Sequence, residues 1–386
     1  MTDLPPASPI DTGTVADGRV VFPPWRDGAD PASPPPPAPL PPHDRVGFAI
    51  VGLGRLSLEQ ILPAFARSTL ARPVALVSGS PDKRTAVARQ YGIPEDHCFG
   101  YDDIERLRDI PDVQAVYVVT PNALHRRHVE AAARAGKHVL CEKPMATSSV
   151  DAEAMIAACD SAGVRLMIAY RIHYEPHHRW VAEHARSGRW GRLIGMTAIN
   201  TQTVNAVTGP DQWRHKAALS GGGSLPDIGL YCLNTARIMA GEEPIEVFAW
   251  AHSPPGDTRF AEVEATMSFT LRFASGLLVN AFTSYSARDD KHQRLEFERA
   301  TVDMPRAYPY AGQRLLIHEN DETGEDLVSE IILPAVDQFA AELDHFAACV
   351  RDGAAPRTGG DEGLRDQRIM EALYESARTG RPVRLM

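Results

Sequence analysis

The stretch that decides the fold is VGFAIVGLGRLS, residues 46–57. Its first six residues predict a short buried strand, and Gly52-Leu53-Gly54 predicts a tight turn before a helix over Leu58–Ser68. Glycines at such a turn let the backbone approach a pyrophosphate, and the helix N-terminus offers free N–H groups. Ser57 occupies the third glycine position of this pattern, and a glycine turn that binds no nucleotide remains the alternative.

Residues 46–170 alternate short apolar runs with helical patterns. This alternation predicts an α/β fold with a mostly parallel sheet, helices on both faces and ligands beyond the carboxyl ends of the strands. The predicted strands are Val46–Val51, Val74–Ser78, Gln114–Val119, Lys137–Cys141 and Val164–Tyr170. The predicted helices are Leu58–Ser68, Asp82–Tyr91, Ala123–Ala135 and Ser149–Ala162.

The end of the second strand indicates which dinucleotide would bind. Folds of this type that prefer NAD usually place Asp or Glu there, to bind the ribose 2′-hydroxyl. This chain has Ser78-Gly79-Ser80 at that point, followed by Lys83 and Arg84 at the start of the next helix. Hydroxyl, N–H and cationic donors suit a 2′-phosphate better. The sequence therefore predicts NADP, the alternative being a solvated helix start with ordinary surface cations.

Two further strand ends carry polar residues. After Val119 the chain reads Thr120-Pro121-Asn122-Ala123-Leu124-His125, where the proline forces a turn and Asn122 can cap the next helix. After Cys141 it reads Glu142-Lys143-Pro144. Lys143, at the carboxyl edge of the sheet, is placed to point into the ligand cleft, although its spacing alone also allows a surface lysine.

The bulk composition limits the class of protein. A chain of 386 residues suits two domains, and a net charge of −10 argues against a nucleic-acid partner. The five cysteines are scattered without a C-x-x-C spacing and indicate neither a disulfide framework nor a zinc site. No apolar run approaches the roughly 20 residues of a membrane span, and no secretory signal is visible, so we expect a cytoplasmic protein without a membrane partner.

Residues 1–44 differ in composition from the rest of the chain. They contain 13 of its 31 prolines, which predicts an extended or polyproline-like segment. A disordered tail is one interpretation. The apolar cluster Val20–Trp25 favours another, because a purely solvated tail has little use for it. We therefore expect an arm that docks on the body of the protein or on a neighbouring subunit.

Seven motifs spread over most of the chain are informative together. They are Val51–Ser57, Thr120–His125, Glu142-Lys143-Pro144, Tyr170–Tyr174, Gln212-Trp213-Arg214, Gly221–Tyr231 and Ala377–Val383. These motifs resemble the Gfo/Idh/MocA superfamily of oxidoreductases, and within it the branch of glucose–fructose and aldose–aldose oxidoreductases, whose members also carry a proline-rich N-terminal arm. The resemblance therefore covers about residues 46–383.

The resemblance implies a Rossmann domain over residues 45–170 and a C-terminal α+β domain over residues 171–386. The second domain is expected to contain a large, open, mostly antiparallel sheet whose free face forms a subunit interface, which implies a homodimer or homotetramer. Runs of strand composition in this half are Leu193–Thr203, Ile245–His252, Val263–Phe273 and Leu277–Tyr285, and helices are predicted over Pro334–Val350 and Gly363–Thr379.

Oxidation of a sugar at its C1 hydroxyl needs a group that removes the hydroxyl proton. Tyrosine, with an ordinary pKa of about 10, is a poor base at neutral pH unless a neighbouring ammonium stabilises the phenolate. The resemblance implies that Tyr231 is this acid–base residue, that Lys143 is its ammonium partner and that Asp227 orients substrate. The alternative is that Tyr231 is a half-buried core tyrosine on a helix that starts after Gly223.

The resemblance and the strand-end positions together define the expected sites. The expected substrate residues are Lys143, Arg171, Tyr174, Asp227 and Tyr231. The expected cofactor-binding residues are Gly52, Leu53, Gly54, Arg55, Leu56, Ser57, Ser78, Gly79, Lys83, Tyr101, Thr120, Pro121, Asn122, Leu124, His125, Glu142, Lys143, Arg171, Trp213, Arg214 and Tyr310. We expect no metal site at His173, His177 and His178, because no matching ligands stand at suitable spacing.

The resemblance implies an NADP-dependent enzyme that keeps its cofactor bound. It would oxidise one aldose to an aldonolactone and then reduce a second monosaccharide to an alditol. Two alternatives stay open: a sugar or dihydrodiol dehydrogenase whose NADP exchanges freely, and a non-catalytic regulator that senses a dinucleotide. The sequence does not specify the sugars.

Overall fold

The computed structural model describes residues 14–16, 19–21, 39–204, 209, 211–321 and 323–385. The chain divides into two compact units, residues 1–38 and the remainder. In the first unit, strands β1 (Thr14–Ala16) and β2 (Arg19–Val21) pair in antiparallel orientation. The predicted docking of the arm through Val20–Trp25 lies largely outside the described residues.

The second unit begins with six parallel strands and the helices that connect them. The strands are β3 (Val46–Val51), β4 (Ala71–Val77), β5 (Cys98–Phe99), β6 (Ala115–Val118), β7 (His138–Glu142) and β8 (Leu166–Ala169). The helices are α1 (Leu62–Ala64), α2 (Pro81–Tyr91), α3 (His125–Arg134) and α4 (Ser149–Ser161), with 3₁₀ turns at Pro42–Asp44, Glu95–His97, Tyr101–Asp109 and Asn122–Leu124.

The strand order in this sheet is β5-β4-β3-β6-β7-β8, and all of the pairings are parallel. The order reverses between β3 and β6, which is where open parallel sheets bind ligands. The predicted Rossmann fold is confirmed. The predicted bounds of β3 are also observed, because all six of its residues are buried and their pattern leaves no ambiguity.

Two local predictions in this half were wrong. The predicted continuous helix over Leu58–Ser68 is instead a π-turn at Ser57–Ile61 followed by the short helix α1, which contains Pro63. Strand β5 was not predicted, because two residues give no periodic signal.

The described residues after β8 form a nine-stranded sheet and five helices. The strands are β9 (Leu193–Thr201), β10 (Pro244–His252), β11 (Thr266–Phe273), β12 (Leu278–Ser284), β13 (Gln293–Phe297), β14 (Ala300–Met304), β15 (Leu316–Asn320), β16 (Asp326–Glu330) and β17 (Val383–Arg384). The helices are α5 (Pro176–Arg186), α6 (Ala217–Ser220), α7 (Leu230–Ala240), α8 (Gln338–Asp352) and α9 (Gly360–Thr379). Shorter turns are the π-turn Leu225–Gly229 and the 3₁₀ turns Arg171–Tyr174, Trp213–His215 and Thr258–Phe260.

The order of the second sheet is β16-β15-β14-β13-β9-β12-β11-β10-β17. Only the β9–β12 pair among these described pairings is parallel, so the predicted mostly antiparallel sheet is confirmed. Burial alternates along β11 and β12, which leaves one face of the central strands covered and the other exposed. Strands β13–β16 and helix α5 were not predicted from the sequence.

Helix α8 crosses back from the C-terminal part of the chain onto the parallel sheet. Phe346 packs against Phe48 of β3 with ring centres 6.2 Å apart, and both side chains are fully buried. Asp344 accepts hydrogen bonds from the backbone N–H groups of Thr69 and Leu70, at 3.0 and 2.9 Å. The two sheets therefore belong to one compact unit, and the expected domain boundary at residue 170 stays a prediction.

The described residues contain neither a membrane-crossing helix nor a metal-binding group. None of their helices combines the length and apolar character that crossing a membrane requires. No three of their His, Cys, Asp or Glu side chains cluster in a way that could hold a metal ion. The three histidines have protein partners instead: His173 contacts Asn234 at 2.8 Å, and His177 and His178 contact opposite oxygens of Glu175.

Candidate active site

The glycine turn lies at the point where the strand order reverses. Gly52 has a φ of +106°, and a Cβ there would lie 2.3 Å from the carbonyl oxygen of Val119, so only glycine fits. A Cβ at Gly54 would meet nothing within 4 Å, which leaves open space on the outer side of the turn. The Ser57 hydroxyl donates to the Gly52 carbonyl over 2.6 Å. Ser57 therefore stabilises the turn from within, at the position where the motif usually has its third glycine.

The neighbouring side chains of the turn differ in exposure. Leu53 is buried, and Leu56 packs at the edge of the same core cluster. Arg55 is exposed and pairs with Glu59 over 2.8 Å. Its guanidinium is therefore accessible to a phosphate in front of the turn.

The end of β4 presents hydroxyl and cationic groups. Ser80 caps helix α2 by accepting from the backbone N–H of Lys83, and Arg84 donates to the carbonyl oxygen of Ser78. The ring of Tyr101 lies 3.2 Å from the point where a Cβ on Gly79 would stand, so a larger residue there would meet the ring. This arrangement matches the predicted donor-rich strand end, and it adds Arg84 to the candidate residues.

The loop after β6 is held by its own side chains. Thr120 contacts Nδ1 of His128 at 3.1 Å, and the His128 ring stacks on Tyr101 with centres 5.0 Å apart. The sequence suggested that Asn122 caps the next helix. Its amide instead donates to the carbonyl of Ser220 over 2.8 Å. Pro121 and Leu124 flank this contact in the 3₁₀ turn. Asn122 thus connects the loop to helix α6.

His125, whose expected role in cofactor binding stays a prediction, contacts the loops after β6 and β7. It is fully buried, and its Nε2 lies 2.8 Å from the Thr120 carbonyl while Nδ1 lies 3.1 Å from the Pro144 carbonyl. Burial lowers the pKa of His125, and these carbonyl contacts act in the opposite direction. The residue connects the loop after β6 to the loop after β7.

Lys143 and Asp227 form one side of the candidate cleft. The Lys143 ammonium donates to the Asp227 carbonyl over 2.7 Å and lies 3.6 Å from its carboxylate. It also lies 4.9 Å from the centre of the Tyr231 ring. The expected association of Lys143 with Tyr231 is therefore a contact with the ring face, and the ammonium's hydrogen bond goes to Asp227.

The Asp227 carboxylate is surrounded by donors. Arg214 Nε lies 3.3 Å from one of its oxygens, and the Tyr285 hydroxyl donates to the same oxygen over 2.8 Å. Burial alone would raise the pKa of Asp227, but Arg214, Lys143 and Tyr285 together lower that pKa below its ordinary value. Asp227 is therefore held ionised. Trp213 lies beside Arg214, whose guanidinium carbon is 4.4 Å from the ring centre.

Arg171 holds the hydroxyl of Tyr231. Its Nε donates to that oxygen over 3.1 Å, and its guanidinium lies between the Tyr231 and Tyr310 rings, 4.7 and 4.6 Å from their centres. Its Nη2 donates to the Tyr308 carbonyl over 2.7 Å, and its Nη1 donates to Gln338. Tyr231 lies on α7 directly after the π-turn that carries Asp227, so the two side chains enter the cleft together.

The structure shows that Tyr310, and not Tyr308, is the tyrosine exposed at the cleft, a choice that the sequence could not make. Tyr310 is about half exposed at the cleft, whereas Tyr308 is buried and donates to Gln293 over 3.0 Å. Tyr174, an expected substrate residue, is not brought to the cleft. It is buried with its hydroxyl 3.8 Å from the Met167 sulfur.

Sequence reasoning missed Tyr285 and Gln338. Tyr285 closes the predicted strand Leu277–Tyr285, but nothing in its spacing connects it with Asp227. Gln338 begins α8, far from Arg171 along the chain. Both contacts arise from the packing of distant elements, and no local pattern marks them.

The carboxyl edge of the parallel sheet fits a dinucleotide. Gly52 allows a close backbone approach, the space beyond Gly54 is open, and no carboxylate occupies the end of β4. Arg55, Ser78 and Gly79 would hold its phosphates and ribose, and Lys143 and Tyr310 would border its reactive end. A nicotinamide bound there would supply the hydride acceptor or donor.

A nucleotide-binding edge that faces an acid–base cluster is the arrangement of a dinucleotide-dependent oxidoreductase. Residues 46–170 match the family described as "Oxidoreductase family, NAD-binding Rossmann fold", and residues 178–298 match the "GFO/IDH/MocA C-terminal domain". The chain is also 34% identical over 344 residues to D-xylose 1-dehydrogenase [NADP(+)] of Haloarcula marismortui, covering 88% of this chain and 93% of that protein. The chain belongs to the GFO/IDH/MocA family of oxidoreductases.

Two solved structures of the family resemble this one. Aldose–aldose oxidoreductase from Caulobacter crescentus, complexed with glycerol, is 43% identical, with a TM-score of 0.84 over 88% of this chain and 100% of that chain. A 3-ketoreductase from Actinomadura kijaniata, in complex with NADP and TDP-benzene, is 26% identical, with a TM-score of 0.75 over 86% and 98% of the two chains. These similarities agree with the resemblance inferred from the sequence motifs.

Proposed function

We propose that the protein is an NADP-dependent sugar oxidoreductase that oxidises an aldose at C1. The observation that carries this proposal is the convergence of Tyr231, Arg171, Lys143 and Asp227 at the edge of the parallel sheet. A phenol flanked by two cations, beside an ionised carboxylate, can exchange a proton with a sugar hydroxyl. The names of two relatives, a xylose dehydrogenase and an aldose–aldose oxidoreductase, support sugars as substrates.

Each side chain has a defined role in this proposal. Tyr231 takes the proton of the C1 hydroxyl, and Arg171, which donates to its oxygen, stabilises the phenolate form. Lys143 adds a second positive charge at the ring face. Asp227, fixed by Arg214 and Lys143, accepts a hydrogen bond from a sugar hydroxyl and orients the ring.

The preference for NADP is the second part of the proposal. Ser78 and the cations of the α2 start provide donors for a 2′-phosphate, and no carboxylate stands at the end of β4 itself, although Asp82 lies in the first turn of α2. Arg84, which reaches the carbonyl of Ser78, stands at the same strand end. Two relatives are named for NADP or contain it, which supports the same preference.

The third part of the proposal concerns turnover. One aldose loses a hydride from C1 and its hydroxyl proton and leaves as the lactone; a second sugar gains the same hydride and a proton and leaves as an alditol. This cycle requires only that cofactor release be slower than both transfers. The 43% identity to aldose–aldose oxidoreductase supports it. The 34% identity to a xylose dehydrogenase supports the second candidate, a dehydrogenase with exchanging NADP.

An absorbance spectrum of the purified, desalted protein tests these parts together. With glucose and no added cofactor, we expect a nucleotide shoulder to give way to the NADPH band near 340 nm, and a second carbonyl sugar to remove that band. Protein that is free of cofactor but reduces added NADP would establish the exchanging dehydrogenase. Absence of any response to aldoses, with dinucleotide still bound, would favour the non-catalytic regulator.

We also propose a homodimer or homotetramer formed through the outer face of the second sheet. Trp250, Phe282 and Leu278 are 61%, 37% and 50% exposed on strands β10 and β12, which both pair with β11. An exposed apolar group of this kind usually marks an interface. Sedimentation of the wild type and of Trp250→Glu tests it, since a change to monomer is expected and an unchanged assembly would contradict it.

A further inference from the structure

Two carboxyl groups meet in the core behind the catalytic cleft. The Tyr117 hydroxyl lies 2.7 Å from Oε1 of Glu142 and 3.4 Å from Oε2 of Glu342. Glu342 is 1% exposed, Glu142 7% and Tyr117 1%, so water does not screen the pair. The other Glu342 oxygen, Oε1, is buried without any hydrogen-bond partner among the described residues. One phenol proton cannot satisfy two ionised carboxylates at once.

The pair is connected to the cleft through helix α8. Gln338 and Glu342 are one helical turn apart, so they lie on the same face of α8. Gln338 accepts from Nη1 of Arg171, whose Nε donates to Tyr231. This face of α8 therefore holds the Arg171 guanidinium, which contacts Tyr231, and also carries Glu342 of the buried pair.

The groups that face Glu342 come from three neighbouring elements. They are Tyr117 on β6, Glu142 at the end of β7, and Arg171 and Tyr174 in the 3₁₀ turn after β8. Burial and the mutual repulsion of the two carboxylates raise the pKa of Glu342 well above its ordinary value, and burial raises the pKa of Glu142. Lys143 opposes the rise in the pKa of Glu142, and Arg171 opposes the rise in both pKa values.

We propose that Glu342 is a positioning residue, which shares a single proton with Glu142 and leaves one negative charge behind Arg171. That charge balances the guanidinium and holds it in place between Gln338 and the Tyr231 hydroxyl. Loss of the shared proton would put a second negative charge behind Arg171 and weaken its stabilisation of the phenolate. This role rests on the proposed function of Tyr231 as the acid–base residue.

Infrared spectroscopy tests proton sharing without any turnover. The C=O stretch of a protonated carboxyl is separate from the carboxylate bands, so it can be compared among variants at neutral pH. We expect E342Q to lose the intensity of one protonated carboxyl, and the double variant E142Q/E342Q to lose no more than that. The exposed control E325Q should lose none. A double variant that loses twice the intensity of E342Q, or an E342Q that loses none, would overturn the shared proton.

Unfolding provides a second readout that does not depend on activity. A carboxyl whose pKa is raised by folding stabilises the folded protein at pH values below its ordinary pKa of 4.5. That stability is lost as the pH rises through the pKa of the folded state. Above pH 4.5 the wild type should therefore lose unfolding free energy relative to E342Q. A constant difference between the two proteins across this range would contradict the shifted ionisation.

The pH profile of kcat/KM tests the link to Tyr231. In the wild type, loss of the shared proton adds a negative charge behind Arg171, so the acid limb should be broader than a single ionisation. E342Q should narrow that limb and move its midpoint down by about half a pH unit or more, whereas E325Q should leave it unchanged. An identical profile in E342Q would overturn the positioning role. If Tyr231→Phe proved fully active, the proposed function would fail, but the infrared and unfolding results would still decide whether the proton is shared.

Discussion

Arg171 contacts Tyr231 in two ways, donating from Nε to the hydroxyl over 3.1 Å while its guanidinium carbon lies 4.7 Å from the centre of the same ring. The first contact fixes the position of the hydroxyl, and the second restrains the ring. Tyr310 also contacts the guanidinium, with its ring centre 4.6 Å from the guanidinium carbon. Arg171 therefore holds Tyr231, the proposed acid–base residue, in position before any substrate enters.

Tyr231→Phe should abolish proton exchange while leaving the cleft intact. We expect kcat to fall by about 100-fold to 10,000-fold, because general acid–base groups contribute in that range. Cofactor retention should not change, since the aromatic ring stays. Steady-state kinetics with glucose measures the loss, and Tyr91→Phe, at the end of α2 and outside the cleft, is the matched control. Near-normal turnover would remove Tyr231 from the mechanism.

Lys143→Met keeps the length of the side chain and removes its charge. The Asp227 carbonyl would lose its donor, and the Tyr231 ring would lose the ammonium 4.9 Å from its centre. We expect a decrease of about 100-fold in kcat, the usual cost of one stabilising donor, with a smaller change in KM. A variant that changed KM alone would show that Lys143 only binds substrate.

Asp227→Asn tests the ionised carboxylate through pH-dependent stability. The pKa of Asp227 is lowered in the folded protein, so its carboxylate stabilises the fold at pH values above its ordinary pKa of 3.8. This stability is lost as the pH falls through the lowered pKa. At neutral pH, Asp227→Asn should cost about 3 kcal/mol, because Arg214 and Lys143 lose their anion. The difference in unfolding free energy between the wild type and Asp227→Asn should become smaller as the pH is lowered. Melting temperatures between pH 3 and pH 7 provide the measurement, and a deficit that is independent of pH would argue against the pairing.

Ser78→Asp tests the preference for NADP. A carboxylate at the end of β4 would repel a 2′-phosphate, and we expect the Kd for NADP to rise by about tenfold or more while NAD binding is preserved. Titration of both cofactors by fluorescence separates the two effects. Ser161→Asp, on an exposed helix end, adds the same charge elsewhere and should change neither affinity. Equal weakening of both cofactors would refute this interpretation of the strand end.

His125→Phe separates a structural role from a cofactor role. Because a neutral imidazole carries one N–H, one of the Thr120 and Pro144 carbonyls would lose a buried donor, at about 1–3 kcal/mol. We expect a clear decrease in unfolding free energy, measured by denaturant titration. The ratio of NADP to NAD affinity should stay as in the wild type, and a changed ratio would restore His125 to the cofactor site.

The sequence was sufficient for features encoded locally. The glycine turn, the strand β3 and the motif Glu142-Lys143-Pro144 each carry their signal within a few residues, and the Rossmann fold follows from their order. Features that depend on long-range packing could not be predicted from the sequence. The sequence around Asn122 predicts a helix cap, but the residue binds helix α6 in the folded protein. Tyr285 binds Asp227 only because β12 packs beside the π-turn. Helix α8 was predicted, but its placement on the parallel sheet was not.

That placement has a consequence for the order of events during synthesis. A nascent chain that has emerged through residue 170 contains every strand of the parallel sheet, yet it lacks Phe346 and the rest of α8, which cover one face of that sheet. The guanidinium that contacts Tyr231 is held by Gln338 of the same late helix. Cofactor binding should therefore mature only when the ribosome has nearly finished the chain, so that a truncated product is released without nucleotide.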